Sequence, residues 1–246
     1  MRDKTAGIDD KRYHLILLAK NNEGYKNLIK LVTLAHLEGF YYKPRIDKEI
    51  LREHHEGLIG LSACLTGEVN RALVNDKYDE AKKLAFEYEE IFGKGKFFLE
   101  IGDHPNIPEA VKLREKVIQL SRETGLEMVA TQDIHYAKPE DAHYHDILLA
   151  VQTGSRLTDD DRLTLSADDF SLNSPKDMME KFKDVPEAVS NTVKVAEMCN
   201  LEIELGKILL PHFPKPDGKT ANQYLEELVN ERVGKRFPGE KLSQQV

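Results

Sequence analysis

Short apolar runs alternate with longer amphipathic stretches through the first 155 residues. Four of the runs, 13–19, 57–62, 97–101 and 127–131, read as strands. Each is rich in Leu, Ile, Val or Phe and is bounded by Gly, Asn, Asp or charged residues, as a strand buried on both faces is. Between them, 23–37, 77–92 and 108–123 repeat apolar residues at helical spacing. In the first, Tyr25, Leu28, Ile29, Val32 and Leu37 fall near one face, and Gly125 stands where the third should end. Strand-helix alternation of this kind predicts an α/β fold with a mostly parallel sheet.

Beyond residue 155 the pattern changes. Residues 155–174 hold Asp159-Asp160-Asp161 and Asp168-Asp169, show little periodicity and read as a long acidic connection. Ser174-Pro175 opens a helical region that runs, with a break near Val185-Pro186, to Cys199. Residues 201–205 read as a short strand. Residues 209–219, with Pro211, Pro214 and Pro216, read as turn and extended chain. Thr220 is placed to cap a final helix to about Phe237. No internal repeat or low-complexity tract interrupts this order.

Composition narrows the function classes. A chain of 246 residues that is 40% hydrophobic can bury a proper core, as one large domain or a domain and a half, which excludes disorder as its dominant state. No run approaches the roughly 18 apolar residues of a membrane span, and Met1-Arg2-Asp3-Lys4 leads into charged sequence rather than a signal-peptide core, so the expectation is a soluble, cytoplasmic protein with no membrane partner. Acidic residues outnumber basic ones, 43 to 35, for a net charge of −8, so the basic footprint of an autonomous nucleic-acid-binding domain is missing. Polynucleotide contact must then be local, or made by another part of a larger assembly. Cys64 and Cys199 offer neither a disulfide framework nor a CxxC metal spacing, which fits a reducing compartment.

In parallel α/β architectures chemistry collects at the carboxyl ends of strands. The fourth run continues into Gln132-Asp133-Ile134-His135, where an oxygen and a nitrogen donor two residues apart share a side of extended chain and suit a divalent cation; a capping Asp and a backbone-bonded His are the plainer reading. The second run ends in Ser62-Ala63-Cys64-Leu65-Thr66-Gly67, and a thiolate there would favour zinc, although free cysteines are commonly inert small hydrophobes. His14 stands near the start of the first run, where a lone histidine is ordinarily structural. The third run delivers Glu100 and, beyond it, His104, weaker candidates for substrate contact or proton transfer for which surface salt-bridging and turn capping are the simpler roles. His143 and His145, two apart on a helix, point to different faces and do not suit a shared metal. His36 suits a helix C-terminus. His54-His55 and His212 carry no clear signal. GxxxxGK[ST], GxGxxG and GxSxG are all absent, against a P-loop ATPase, a common dinucleotide fold and an α/β-hydrolase.

Taken together and in order, Tyr13-His14-Leu15, 21–27, Leu37-Glu38-Gly39-Phe40-Tyr41-Tyr42-Lys43-Pro44-Arg45-Ile46-Asp47, 57–68 and 130–136 closely resemble the PHP (polymerase and histidinol phosphatase) domain of the bacterial DNA polymerase III alpha-subunit family. The likeness continues through 146–154, 186–200 and Leu210-Pro211-His212-Phe213, so it covers nearly the whole chain after the first ten residues. It implies an incomplete, distorted β/α-barrel of the PHP type over 1–155, followed by a mostly helical segment, 156–246, that leads into the polymerase core. It implies a parent DNA-directed DNA polymerase, a nucleotidyltransferase of DNA replication, with Mg2+ in its core and with DNA, deoxynucleotides and other replicase subunits as partners, a proofreading exonuclease among them.

At the PHP site the resemblance makes His14, Cys64, Asp133 and His135 ligands of Zn2+ or Mn2+, in a metal-dependent phosphoesterase or 3′–5′ exonuclease centre, and has the four converge at one end of the barrel. The family's opening His-x-His and the ligands that follow it have no counterpart here, nor do the paired polymerase aspartates. Weak metal binding and no polymerase activity are therefore expected of the chain on its own. Two other readings are a structural or docking module for the exonuclease subunit, and a stand-alone phosphatase acting on small phosphate esters such as histidinol phosphate. The polymerase-like stretch 170–237 counts against the second.

Overall fold

The computed structural model describes residues 12–208 and 210–238, so expectations that fall on 1–11, Leu209 and 239–246 lie outside the described residues. The four expected strands form as β1 (Ile16–Ala19), β2 (Leu58–Leu61), β3 (Phe97–Ile101) and β4 (Met128–Ala130), in the sheet order β1-β2-β3-β4; β3 fills its apolar run and the other three are somewhat shorter than theirs. The β2–β3 and β3–β4 pairs are parallel, whereas β1 runs antiparallel to β2, with Ile16 opposite Leu61 and Ala19 opposite Leu58. Apolar content says where a strand is and nothing of its direction. Nor does the length of a connection decide it, since the stretch between β1 and β2 is long enough for a parallel crossover. Helices α3 (Glu68–Val74) and α4 (Tyr78–Phe92) make the crossover from β2 to β3, and α5 (Pro108–Thr124) makes the one from β3 to β4. Helices α1 (Asn22–Leu37) and α2 (Lys48–Glu53) instead return the chain from β1 to an antiparallel β2.

Local chemistry accounts for the helix boundaries. The Asn21 side chain accepts from the Gly24 amide at 3.0 Å to start α1, and Asp47 accepts from Ile50 at 3.0 Å to start α2. Pro108 opens α5, and Gly125, in the left-handed region at φ 76°, ends it as its position predicts. Gly24 and Gly57 form a close approach between α1 and the chain entering β2. A Cβ on Gly24 would lie 1.9 Å from the Gly57 carbonyl oxygen, so no larger residue fits there.

Alternation along the strands divides the core in two. Leu58, Phe97, Leu99, Ile101, Met128 and Ala130 face α1 to α5, where Tyr88, Phe92 and Phe97 stack. Ile59, Leu61, Phe98 and Val129 face the other way and meet Val195. Each such side chain contributes about 1.5–3 kcal/mol on burial. Val195 belongs to α8 (Pro186–Met198), whose Asn191 side chain donates to the Met128 carbonyl at 2.7 Å and whose Lys194 reaches Glu127 at 2.7 Å. Residues 156–203, expected to open the segment after the barrel, thus share one compact unit with the sheet, and the division falls between Ile203 and Glu204.

In that unit α6 (Ala142–Thr153) precedes the acidic connection and α7 (Pro175–Lys181) follows it, with Ser174 and Asp177 forming a capping box. In the other unit Thr220 caps α9 (Ala221–Arg236) through a capping box with Gln223, and no residue of α9 is buried. Residues 201–205 form no strand, contrary to expectation. They have no pairing partner among the described residues, and Ile203 and Leu205 are exposed, so the apolar positions that suggested a strand gain nothing from one.

Candidate functional site

The reversed direction of β1 has a chemical consequence. Residues that precede β1 lie at the same end of the sheet as residues that follow β2, β3 and β4, so His14, Cys64, Glu100, His104, Asp133 and His135 are all delivered to one end.

At the first edge, the His14 amide donates to the Thr66 carbonyl at 3.1 Å, and the His14 ring Nδ1 lies 3.3 Å from the Cys64 Sγ. Cys64 Sγ is also 3.2 Å from the Thr66 hydroxyl. The sharp turn that presents Cys64 is strained at one residue and held by another. Ala63 sits in the left-handed region at φ 61°, which disfavours a Cβ, and the fully buried Asn70 side chain donates to the Ala63 and Cys64 carbonyls at 2.6 and 3.1 Å. Gly67 closes the turn, since a Cβ there would stand 2.0 Å from the Ser62 carbonyl oxygen.

At β4 the chain turns again through a left-handed non-glycine residue, Asp133, at φ 52°. His135 Nδ1 is 2.7 Å from the Asp133 carbonyl oxygen. Because a carbonyl only accepts, Nδ1 carries the hydrogen and the ring's lone pair is left on Nε2, the orientation by which a histidine is commonly prepared for a cation. The His135 and Asp133 side chains are 36% and 52% exposed and so open to a ligand from solvent. This turn is stapled by the acidic connection. His135 N donates to the Phe170 carbonyl at 2.9 Å, Leu172 N to the Tyr136 carbonyl at 3.2 Å, and Phe170 N to the Tyr136 hydroxyl at 2.9 Å. The buried Phe170 ring stacks on His104 at 4.5 Å and meets His135 edge-on at 5.5 Å.

Glu100 and His104 take neither of the simple surface roles. Glu100 is half-buried; its amide donates to the Ser62 hydroxyl at 2.8 Å, while its Oε2 is buried without a hydrogen-bond partner. Burial raises its pKa and the charge of Asp133 adds to the rise, partly offset by hydrogen bonding from the Thr131 side chain and the Ala63 backbone. Both ring nitrogens of His104 are buried and unpartnered, and burial lowers its pKa, which favours the neutral imidazole.

The candidate ligands therefore stand as two pairs, His14 with Cys64 and Asp133 with His135. Their donor types suit a borderline cation, but among the described residues no three His, Cys, Asp or Glu side chains are grouped closely enough to hold an ion. His143 and His145 diverge as their spacing predicts, the first against Tyr144 and the second near His135 and Tyr136. Asn70, Thr131 and Phe170 escaped the sequence reading. Phe170 alone carried a signal, as an aromatic residue in an otherwise acidic tract.

Residues 4–104 match the family model described as PHP domain. The DNA polymerase III subunit alpha of Thermus aquaticus is 41% identical over 243 residues, covering 96% of this chain and 20% of the relative. The subunit of the same name from Helicobacter pylori is 46% identical over 205 residues, covering 79% of this chain and 17% of its own length. That of Borreliella burgdorferi is 40% identical over 227 residues, covering 92% and 20%. The chain thus spans about a fifth of the length of these curated relatives. Among the described residues no helix is long and apolar enough to cross a membrane. The chain thus matches the PHP family over residues 4–104 and is similar along nearly all of its length to relatives named DNA polymerase III subunit alpha.

Proposed function

We propose that this chain serves as the PHP region of a replicative DNA polymerase, and that the end of the sheet holding His14, Cys64, Asp133 and His135 is a metal-dependent phosphoesterase-like centre. The observation that supports the reading is topological: an antiparallel β1 and three parallel strands bring four donor-bearing turns from separate stretches of chain to one end. Zn2+ suits the thiolate and imidazoles, with Mn2+ the alternative. A cation bound there would engage phosphate oxygens and make its bound water a nucleophile at neutral pH. The chain's own residues prepare the site. His135 is held with Nε2 free, and Asn70 presents Cys64. Nucleotidyl transfer on DNA and deoxynucleotides, with Mg2+, belongs in this reading to the core of such a polymerase, and the compartment is the cytoplasm.

A second reading, a structural module that docks another replicase subunit such as a proofreading exonuclease, gains support from the two-and-two grouping of the ligands. One experiment separates them. The chain is loaded with Zn2+ or Mn2+, dialysed and assayed for bound metal by elemental analysis, then for release of 3′ nucleotides from single-stranded DNA. The phosphoesterase reading expects weakly held metal and little hydrolysis from the chain alone, and, when the same region is tested within a subunit of its relatives' full length, retained metal and hydrolysis that Asp133→Asn and His135→Ala abolish, with Cys64→Ser weakening Zn2+ binding more than folding. Hydrolysis insensitive to all three substitutions would place the chemistry elsewhere, and retained metal without hydrolysis would favour the docking module.

A further inference from the structure

The Cys64 turn and the stretch that carries His14 meet at the start of α3. The Gly67 amide donates to the Cys64 carbonyl at 2.9 Å, and His14 lies beside Gly67 in a parallel bridge. Asn70, which holds the Ala63 and Cys64 carbonyls, stands one turn further along the same helix. Yet α3 is only seven residues long and begins at Gly67 without a side-chain cap, so tertiary contacts have to place it. Glu68, its first residue, makes such contacts in polar form. The Glu68 Oε2 accepts from the Tyr88 hydroxyl at 2.8 Å and lies 2.8 Å from Lys48 Nζ. Lys48 also donates to Glu87 at 2.7 Å, and Arg52 donates to the other Glu87 oxygen at 2.6 Å. One half-buried array thus fastens α2 and α4 to the residue next to the turn.

We propose that Glu68 is a positioning residue: held by Lys48 and Tyr88, it fixes the start of α3 and through it the placing of Cys64 against His14. The inference rests on the metal-site reading for what the pair would bind, but the mechanical link exists without metal. It gives a physical reason for charge at this depth. Apolar side chains of the same volume would stabilise the junction as well or better, whereas an ion pair with a hydroxyl donor on the same oxygen fixes distance and direction. Removing either charged partner frees the start of α3, and the half-buried Cys64 thiol becomes easier to reach.

The test uses the whole chain with Cys199→Ser, leaving Cys64 as the single thiol, and follows alkylation by iodoacetamide without metal. Lys48→Met and Glu68→Met are each expected to speed it about threefold, and the double variant to match the faster single one, since both break the same link. The two substitutions change charge in opposite directions. A purely electrostatic effect on the thiol would therefore move the two rates oppositely, while a loss of positioning moves both upward. Opposite signs, no change, or effects that multiply independently overturn the proposal. Lys48→Arg, which keeps the donor and the charge, is expected to hold the parent rate, and a rate equal to that of Lys48→Met counts against the link. Val195→Ala, which weakens packing on the opposite face of the sheet, is expected to leave the rate unchanged, and an equal acceleration there would reduce the effect to general destabilisation. Should the methionine variants fail to fold by circular dichroism, Tyr88→Phe decides: it removes one hydroxyl, a smaller rise supports the role of Glu68, and an unchanged rate overturns it. Loss of metal retention in the full-length subunit would defeat the metal reading and leave this measurement standing.

Discussion

The turns after β2 and β4 solve one problem in two ways. Each sends the chain sharply away from a strand end through a left-handed non-glycine residue, Ala63 or Asp133, and each presents a candidate ligand there. The first is held from nearby in sequence, by Asn70 on the next helix and by Gly67. The second is held from far away, by the Phe170 carbonyl and ring and by the Asp169 carbonyl, which accepts from the buried Gln132 side chain at 3.3 Å. A turn clamped by its own flanks is a local device. One clamped by a segment about 35 residues away depends on the whole acidic connection staying in place.

The comparison can be broken at its distant anchor first. Phe170→Ala removes a ring that is 4% exposed and lies between His104 and His135, and should cost about 3–4 kcal/mol, read from urea unfolding. Amide shifts should move at 131–136 and leave 62–67 in place. An unchanged midpoint would mean the β4 turn holds itself. Asn70→Ala is the counterpart at the local clamp. It leaves buried carbonyls without their donor and should cost about 2–3 kcal/mol, with amide shifts confined to 62–67.

The anchoring of the connection is sharpened by pH. Arg162 donates to both Asp146 oxygens at 2.6 Å, and Thr164 donates to one at 2.7 Å, tying the connection to α6. The guanidinium holds the Asp146 pKa down at about 2, against an ordinary value of 3.8. A depressed carboxyl group contributes stability that is complete above its unfolded pKa and is lost as pH falls through the folded one. The melting temperature should therefore drop between about pH 4 and pH 2, and Asp146→Asn should flatten that drop. An unaltered acid limb in the variant would remove this pair from the anchoring.

The smallest effect tests the turns directly. Ala63→Gly relieves a Cβ in the left-handed region at some cost in unfolded-chain entropy, and should raise stability by about 0.5–1 kcal/mol. Asp133→Gly should gain less, because aspartate tolerates that region. A thermal shift of the same size at both sites, or a loss at Ala63, would show that the two turns do not store strain as their backbones indicate.

How much of this was legible follows the same division. Ser174, Thr220, Pro108 and Gly125 mark helix ends through contacts with residues a few positions away, and those ends appeared where the sequence put them. The acidic tract 155–174 read as an uncommitted connection, yet it buries Phe170 and Ser171 against the site. Net charge hid a fastening made by backbone carbonyls, which composition does not report. Residues 201–205 failed as a strand for the converse reason: a strand exists only with a partner, and apolar positions cannot supply one.

From its residues alone the chain specifies four strands, most of its helices and their caps, the family it resembles, and the donor types at strand ends. These depend on interactions spanning two to four positions, which the order of residues records. Tertiary structure alone decides that β1 runs backwards and so brings His14 to Cys64, that Glu100 and His104 are buried rather than surface-paired, and that Phe170 holds the His135 turn. Those outcomes rest on which distant segments share one end of the sheet, and on burial that removes water as the competing partner.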